Sequence, residues 1–273
     1  MKALLIGGTG PTGHHICNGL LARGYHVSIL HRGTHEVDEI PECVPHIHID
    51  PYNADELKAV FDANQFDLVV AGYGRLRAIA ELLSGKVGRF ISIGGAPAYK
   101  GYMNPYAHTP GGMPVPTRED AELVTSPEQD DKGFRVMRTE STVFTAHPNA
   151  THFRYPYVYG AYQPVPREWS MVRRILDGRE HIIVPDGGHY LSSFGYAENL
   201  ANALLMAVDN PEQAQGEIFN CADETVLSLR QVIDIINDEM QGQLEVVSMP
   251  MNVAQPGWPL IGQPEPTHRV MDI

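Results

Sequence analysis

The segment Gly7-Gly8-Thr9-Gly10-Pro11-Thr12-Gly13 constrains this chain more than any other. It follows an apolar run over residues 3–6 and opens a helical pattern over residues 15–22. A tight strand-to-helix turn needs glycine, because a side chain would clash at positive φ or block a bound pyrophosphate. The N–H groups that begin the helix then point at phosphate oxygens. Glycines alone are a weak signal. Glycines after the first strand of an alternating pattern mark a dinucleotide-binding turn. The candidate cofactor contacts here are Gly7, Thr9, Gly10, Pro11, Thr12 and Gly13.

The alternation continues. Residues 26–30, 46–49, 68–71 and 90–93 are short β-rich runs, and residues 56–63 and 76–83 carry apolar side chains at helical spacing. Such a pattern predicts a parallel sheet with right-handed crossovers. The rhythm breaks over 96–127, a Pro- and Tyr-rich stretch at a strand's carboxyl end, where open α/β sheets place ligands. Helices are then expected at 128–146, 169–176, 198–208 and 229–240, and strands at 152–154, 182–184 and 217–220. The fold class is α/β: a Rossmann-type doubly wound parallel sheet with a small C-terminal substrate lobe. Residues 1–160 mainly form the dinucleotide domain. Residues 161–273 mainly form the lobe, interwoven with it.

Charge narrows the partners. The net charge of −13 argues against a nucleic acid or an anionic membrane surface, both of which favour a basic footprint. No apolar run approaches the ~20 residues of a membrane-spanning helix. Cys17, Cys43 and Cys221 are far apart and form no C-x-x-C pair. The sequence opens directly on its first strand, without a secretory leader, so a reducing cytoplasm is the expected compartment.

The spacing of the turn, G-x-x-G-x-x-G, resembles the short-chain dehydrogenase/reductase superfamily in its extended and atypical branches. The resemblance runs along nearly the whole chain. Leu30-His31-Arg32-Gly33-Thr34 matches the N-R-G segment after the second strand, and Gly88-Arg89-Phe90-Ile91-Ser92-Ile93 matches the fifth strand. Arg154-Tyr155-Pro156-Tyr157-Val158-Tyr159-Gly160 matches R-P-x-x-V-Y-G with Tyr155 in place of Pro. Phe194 to Ala201 matches the start of a family helix with Glu198 in place of Asp. Within that superfamily the sequence resembles the NAD-dependent epimerase/dehydratase-like set that includes the chloroplast stem-loop-binding proteins. Arg32 stands where NAD-preferring relatives carry an acid for the ribose hydroxyls. An arginine there would pair with the 2′-phosphate of NADP, with His31 and Thr34 to assist. The expected cofactor is NADP. Asp50 near the adenine, Gly72 after the fourth strand, and Tyr155 and Tyr157 complete the expected cofactor set.

The superfamily's usual catalytic groups are missing. Most relatives use a Tyr as proton donor, a Lys four residues later and a Ser or Thr after the fifth strand. Here Gly94 and Gly95 occupy the Ser/Thr place, and no tyrosine lies between Tyr106 and Tyr155. Two registers are open for the Tyr-x-x-x-Lys pair. One puts Phe134 and Arg138 there; the other, anchored on Glu140, puts Lys132 and Val136 there. Tyr99, matching a substrate-contacting family tyrosine, is the first choice of catalytic donor, ahead of Tyr102, His108 and Tyr157.

His46 and His48 alternate with Asp50 along one strand, and the reading adopted is a strand edge without metal. His14 and His15 lack the i, i+4 spacing of a zinc helix and read as surface. Aromatic and methionine side chains around the predicted cleft favour an apolar or aromatic small-molecule substrate. Arg173 and Arg174 keep a diphosphate clamp open. The expected function is an NADP(H)-dependent oxidoreductase acting on a small carbonyl-related compound. The alternatives are a redox-neutral epimerase, dehydratase or cyclase, and a non-catalytic NADP-binding protein. Relatives pair through two helices, here residues 76–83 and 128–146, which implies a homodimer with Phe134, Met137 and Phe144 at the contact. Residues 267–273 resemble the entry to a final family helix. Either this sequence stops short of that helix or its branch dispenses with it.

Overall fold

The structure, a computed structural model, describes residues 1–72, 74–254 and 266–273. The first half runs β1 (Lys2–Ile6), α1 (Gly13–Ala22), β2 (His26–His31), β3 (His46–His48), α2 (Ala54–Ala63), β4 (Phe66–Ala71), α3 (Leu76–Leu83) and β5 (Val87–Gly95). After the long loop come α4 (Asp131–Ala146), β6 (Thr151–Tyr155), β7 (Tyr157–Tyr159), α5 (Trp169–Leu176), β8 (His181–Pro185), β9 (Leu191–Ser192) and β10 (Phe194–Tyr196). The chain continues with α6 (Ala197–Asp209), α7 (Pro211–Ala214), β11 (Ile218–Asn220), β12 (Leu227–Ser228), α8 (Leu229–Glu239) and β13 (Glu245–Met249).

Seven parallel strands form the main sheet, in the order β11-β6-β5-β4-β1-β2-β3. The order reverses at β1, which pairs β2 on one side and β4 on the other. Alternate residues of β1 feed opposite layers, as a strand's two-residue period requires. Ala3 and Leu5 pack under α1 and α6 with Ile16, Leu20, Leu200 and Leu204. Leu4 and Ile6 pack under α2 and α3 with Leu57, Phe61, Leu76 and Ile79. Both sheet faces are therefore covered, which accounts for the nearly continuous apolar strands. A separate small core of Met171, Ile182, Val184, Leu229 and Ile233 joins α5, β8 and α8.

Side-chain caps explain where helix limits differ from the periodicity. Asn53 accepts from the N–H groups of Asp55 and Glu56 and starts α2 at Ala54. Asp130 accepts from the Gly133 N–H, so α4 begins at Asp131 rather than at residue 128. Beyond residue 160, α6 packs on the main sheet and β11 extends it beside β6, so the large layer draws on both stretches of chain. No helix among the described residues is long and apolar enough to cross a membrane.

Candidate functional site

Ile6 pairs with Leu30 on one side and Ala71 on the other, so Gly7, His31 and Gly72 follow at one level across the three strands. The Gly7 N–H donates to the Leu30 carbonyl at 2.9 Å, and the Gly13 N–H to Gly10 at 3.0 Å. A Cβ on Gly13 would lie 1.9 Å from the Gly8 oxygen, so only glycine lets α1 start this close to the turn. Thr12 makes no side-chain cap, so its hydroxyl does not compete for the N–H groups of the first turn.

Above this turn lies a cavity of about 650 Å³, within the range of small-molecule sites. Gly7, Thr9, Gly10 and Arg32 line it. Pro11, Thr12 and Gly13 lie outside its lining, at the entry to α1. Asp50 does not line it either; its Oδ1 accepts from the Tyr52 N–H at 3.0 Å and shapes the turn that brings Tyr52 to the wall. Gly72 also lies outside the lining, its N–H 3.5 Å from the Ile6 carbonyl. Sequence reasoning missed Arg75, whose guanidinium sits 4.4 Å over the Tyr52 ring on the same wall. Its signal was an arginine just beyond the carboxyl end of β4. Among the described residues no carboxylate lines this cavity.

Gln163 is shared with a second cavity of about 450 Å³ at the carboxyl ends of β5 and β6, where Gly95 and Tyr155 are register partners. Tyr155 and Tyr157, expected at the cofactor, line this second space instead. Tyr155 is buried and donates to the Leu200 carbonyl at 3.0 Å. The Tyr157 hydroxyl accepts from the Arg167 N–H at 2.7 Å and donates to Glu168 at 3.1 Å. Burial pushes the Tyr157 phenol up to about 12. Lys132 and Val136, one turn apart on α4, both line this cavity. Arg138 and Phe134 pair with each other, guanidinium to ring centre 5.8 Å, and neither lines it. Of the two registers left open by the sequence, the helix turns the Lys132–Val136 face to the cleft.

Arg269 also lines this cleft. It is 3% exposed, stacks 4.5 Å from the centre of the Tyr102 ring, and has no hydrogen-bond partner for Nε and Nη2. Burial lowers the guanidinium to about 10, so it stays charged at neutral pH. Arg167 lines the same cleft, 4.0 Å over the Tyr157 ring. Neither arginine was singled out in the sequence. Arg173 and Arg174, which were, lie elsewhere: Arg173 pairs with Asp177 at 3.0 Å and Arg174 donates to the Ser170 carbonyl.

Tyr99 requires a correction. It is fully buried and lines neither cavity. Its hydroxyl donates to Asn220 Oδ1 at 2.8 Å and accepts from Arg154 Nη1 at 2.8 Å. Arg154 is held in turn by Glu140, through contacts of 2.9 and 2.6 Å. Burial raises the Tyr99 phenol above its usual range, so it is a neutral strut of a buried ion pair, out of reach of a substrate. His108 is likewise tied, its Nε2 3.1 Å from the Lys100 carbonyl. The glycine at the serine position also has a cause: a Cβ on Gly94 would lie 2.4 Å from Nε2 of His152, whose ring fills that space. His152 Nδ1 is bonded to Ser92 Oγ at 2.7 Å; its Nε2 lies 3.3 Å from Glu140 without hydrogen-bond alignment. His14, read as surface, is buried against Tyr162. His46 and His48 face His31 and Glu36 rather than Asp50.

The model of the NAD dependent epimerase/dehydratase family matches residues 3–80 and 142–222. A 3-diazoavenalumate denitrifying reductase from Streptomyces is 25% identical over 243 residues, covering 82% of this chain and 77% of that protein. A UDP-D-apiose/UDP-D-xylose synthase from Arabidopsis thaliana is 28% identical over 103 residues, 36% of this chain. The chain spans about a quarter of the length of two curated relatives it matches, that synthase among them. The fold is similar to UDP-glucose 4-epimerase from Thermotoga maritima, with TM-score 0.75 and 19% identity over 92% of this chain and 86% of that one. It is also similar to the Thermus thermophilus UDP-glucose 4-epimerase in complex with NAD, with TM-score 0.73 and 18% identity over 100% of this chain and 90% of that one.

Proposed function

The chain belongs to the NAD dependent epimerase/dehydratase family, and we propose that within it the protein is an NADP(H)-dependent oxidoreductase. Its substrate is a small, largely apolar or aromatic carbonyl compound that also carries an acidic group. The observation that carries this reading is Arg269, a buried cation with two unpaired nitrogens in a cleft also lined by three tyrosines. Leaving such donors unmet in a buried site is costly, and a carboxylate from a ligand meets them with charge-assisted bonds.

The glycine turn, the start of α1 and the adjoining cavity fit a nicotinamide dinucleotide. When bound, that cofactor supplies hydride-transfer chemistry at a carbonyl carbon. The backbone N–H groups of Thr9 and Gly10 would cradle its phosphates, with Gly7 forming the wall beside them. Arg32, with Arg75 on the same wall and no described carboxylate to oppose them, takes the 2′-phosphate that distinguishes NADP. In the second cavity Arg269 anchors the substrate's acid, and Tyr102, Tyr155 and Tyr157 wall its apolar body. In the register anchored on Glu140, Lys132 stands where relatives carry the catalytic tyrosine. Its ammonium neutralises negative charge growing on the substrate oxygen and donates the proton. Val136, in the lysine's place, brings no second charge. The protein works as a homodimer through α3 and α4, where Phe134 and Met137 are half-buried within one chain.

The test is a panel of aromatic keto acids and aldehydes with NADPH, followed by loss of the reduced cofactor's absorbance. Stoichiometric NADPH consumption supports the reading. Product formation without net NADPH consumption would instead favour redox-neutral chemistry, the second reading, which the likeness to UDP-glucose 4-epimerases keeps in view.

A further inference from the structure

β2 and β3 pair in parallel with Ile29 opposite His46 and His31 opposite His48. Side chains alternate along a strand, so His31, His46 and His48 share one face at the outer edge of the sheet. The chain leaving β2 turns back at Gly33, which has φ +70° and packs so close that a Cβ would lie 3.1 Å from the His48 ring. That turn returns Glu36 over the three imidazoles.

One ligand atom from each of these four residues lies within 4.8 Å of the others. Nε2 of His31 is 2.9 Å from Nδ1 of His46 and 3.7 Å from Glu36 Oε1. Glu36 also reaches His46 Nδ1 at 3.1 Å and His48 Nε2 at 3.3 Å. Zinc–nitrogen bonds of about 2.0–2.1 Å give a tetrahedron with edges of about 3.4 Å. The closest separations, 2.9–3.7 Å, lie around that length, and all four ligand atoms fall within 4.8 Å of one another.

The Gly33 N–H approaches Nδ1 of His31 at 3.3 Å. Metal binding through Nε2 places the proton of the His31 ring on Nδ1 and gives up that long contact.

We infer that His31, Glu36, His46 and His48 form a binding site for a divalent metal ion of the zinc type. Three imidazoles and one carboxylate suit zinc and its transition-metal neighbours rather than calcium or magnesium, which prefer all-oxygen sites. Four protein ligands close the coordination sphere, so the ion is structural. It ties the residue 32–45 segment, which carries Arg32, to the edge of the sheet. The half-exposed His48 and Glu36 give it a route in from solvent.

The experiment uses full-length, tag-free protein stripped by chelator and titrated with Co²⁺, then with Zn²⁺. One equivalent of cobalt should develop the intense visible bands of a tetrahedral ion, zinc should displace it, and metal should raise the melting temperature. His48→Ala and Glu36→Gln should each weaken binding by about 100-fold, with circular dichroism of the metal-free variants matching the parent. His26→Ala, on the far end of β2, should leave binding unchanged. Absence of stoichiometric binding, or binding unaltered by His48→Ala and Glu36→Gln, would overturn the site.

Discussion

The guanidinium of Arg154 lies 4.7 Å from the centre of the Tyr99 ring and donates to its hydroxyl at 2.8 Å. That hydroxyl completes the ion pair between Arg154 and Glu140 and ties it to β11 through Asn220. Tyr99→Phe leaves a buried donor and a buried acceptor each short of one bond. The expected loss is about 1–3 kcal/mol of stability, with kcat per folded molecule unchanged. Urea unfolding and steady-state kinetics on the same preparation check both parts. A fall in kcat of ten-fold or more in fully folded Tyr99→Phe would return Tyr99 to the chemistry.

Stability should fall between pH 6.5 and about 4. Burial lowers His152 from 6.5 to about 4, so across this window the unfolded chain binds a proton that the folded chain refuses. Stability from this group is complete above pH 6.5, declines as pH drops and levels off below about 4. Its span is on the order of 3 kcal/mol. His14 and His147, also lowered mainly by burial, act with the same sign. Urea midpoints measured across this range should shift less in His152→Gln than in the parent.

Lys132 gives a kinetic prediction. Lys132→Met removes the only lysine lining the second cavity among the described residues. It should lower kcat by about 10²–10⁴-fold and leave the NADPH dissociation constant within about two-fold, because Lys132 lies outside the cofactor cavity. The double change Lys132→Tyr with Val136→Lys restores the family pair in the register that faces the cleft, and should recover part of the rate. Phe134→Tyr with Arg138→Lys should not, since neither residue lines the cleft.

The proposed role of Arg269 is tested by substrate class. The parent should prefer an aromatic keto acid over its methyl ester, and Arg269→Met should erase the preference by raising KM for the acid about ten- to a hundred-fold. Equal KM values for acid and ester in the parent would remove Arg269 from substrate binding.

The layout of the sheet was legible because β1, β2, β4 and β5 carry their apolar side chains in short runs punctuated by helical spacing, and both sheet faces are covered. The glycine turn was legible for a local reason: one oxygen, that of Gly8, excludes a side chain at Gly13. Arg269 was not legible, because it comes from the far end of the chain and is brought to Tyr102 only by tertiary packing. Tyr99 misled because its place after β5 matches a family tyrosine, while the partners that bury it, Arg154 and Asn220, are 55 and 121 residues away in sequence. The three-histidine cluster was half visible. The alternation of His46 and His48 was plain, but its other members, His31 and Glu36, reach it through strand pairing and a loop return rather than along one strand.

Dissociation constants for NADPH and NADH, measured side by side by fluorescence titration on the parent and on Arg32→Asp, bear most directly on the cofactor and hence on the reaction. The parent should bind NADPH about ten- to a hundred-fold more tightly than NADH, the worth of one charge-assisted contact to the 2′-phosphate. Arg32→Asp should abolish or reverse that preference while leaving NADH binding near its parent value. Equal affinities for the two cofactors in the parent would contradict the NADP assignment.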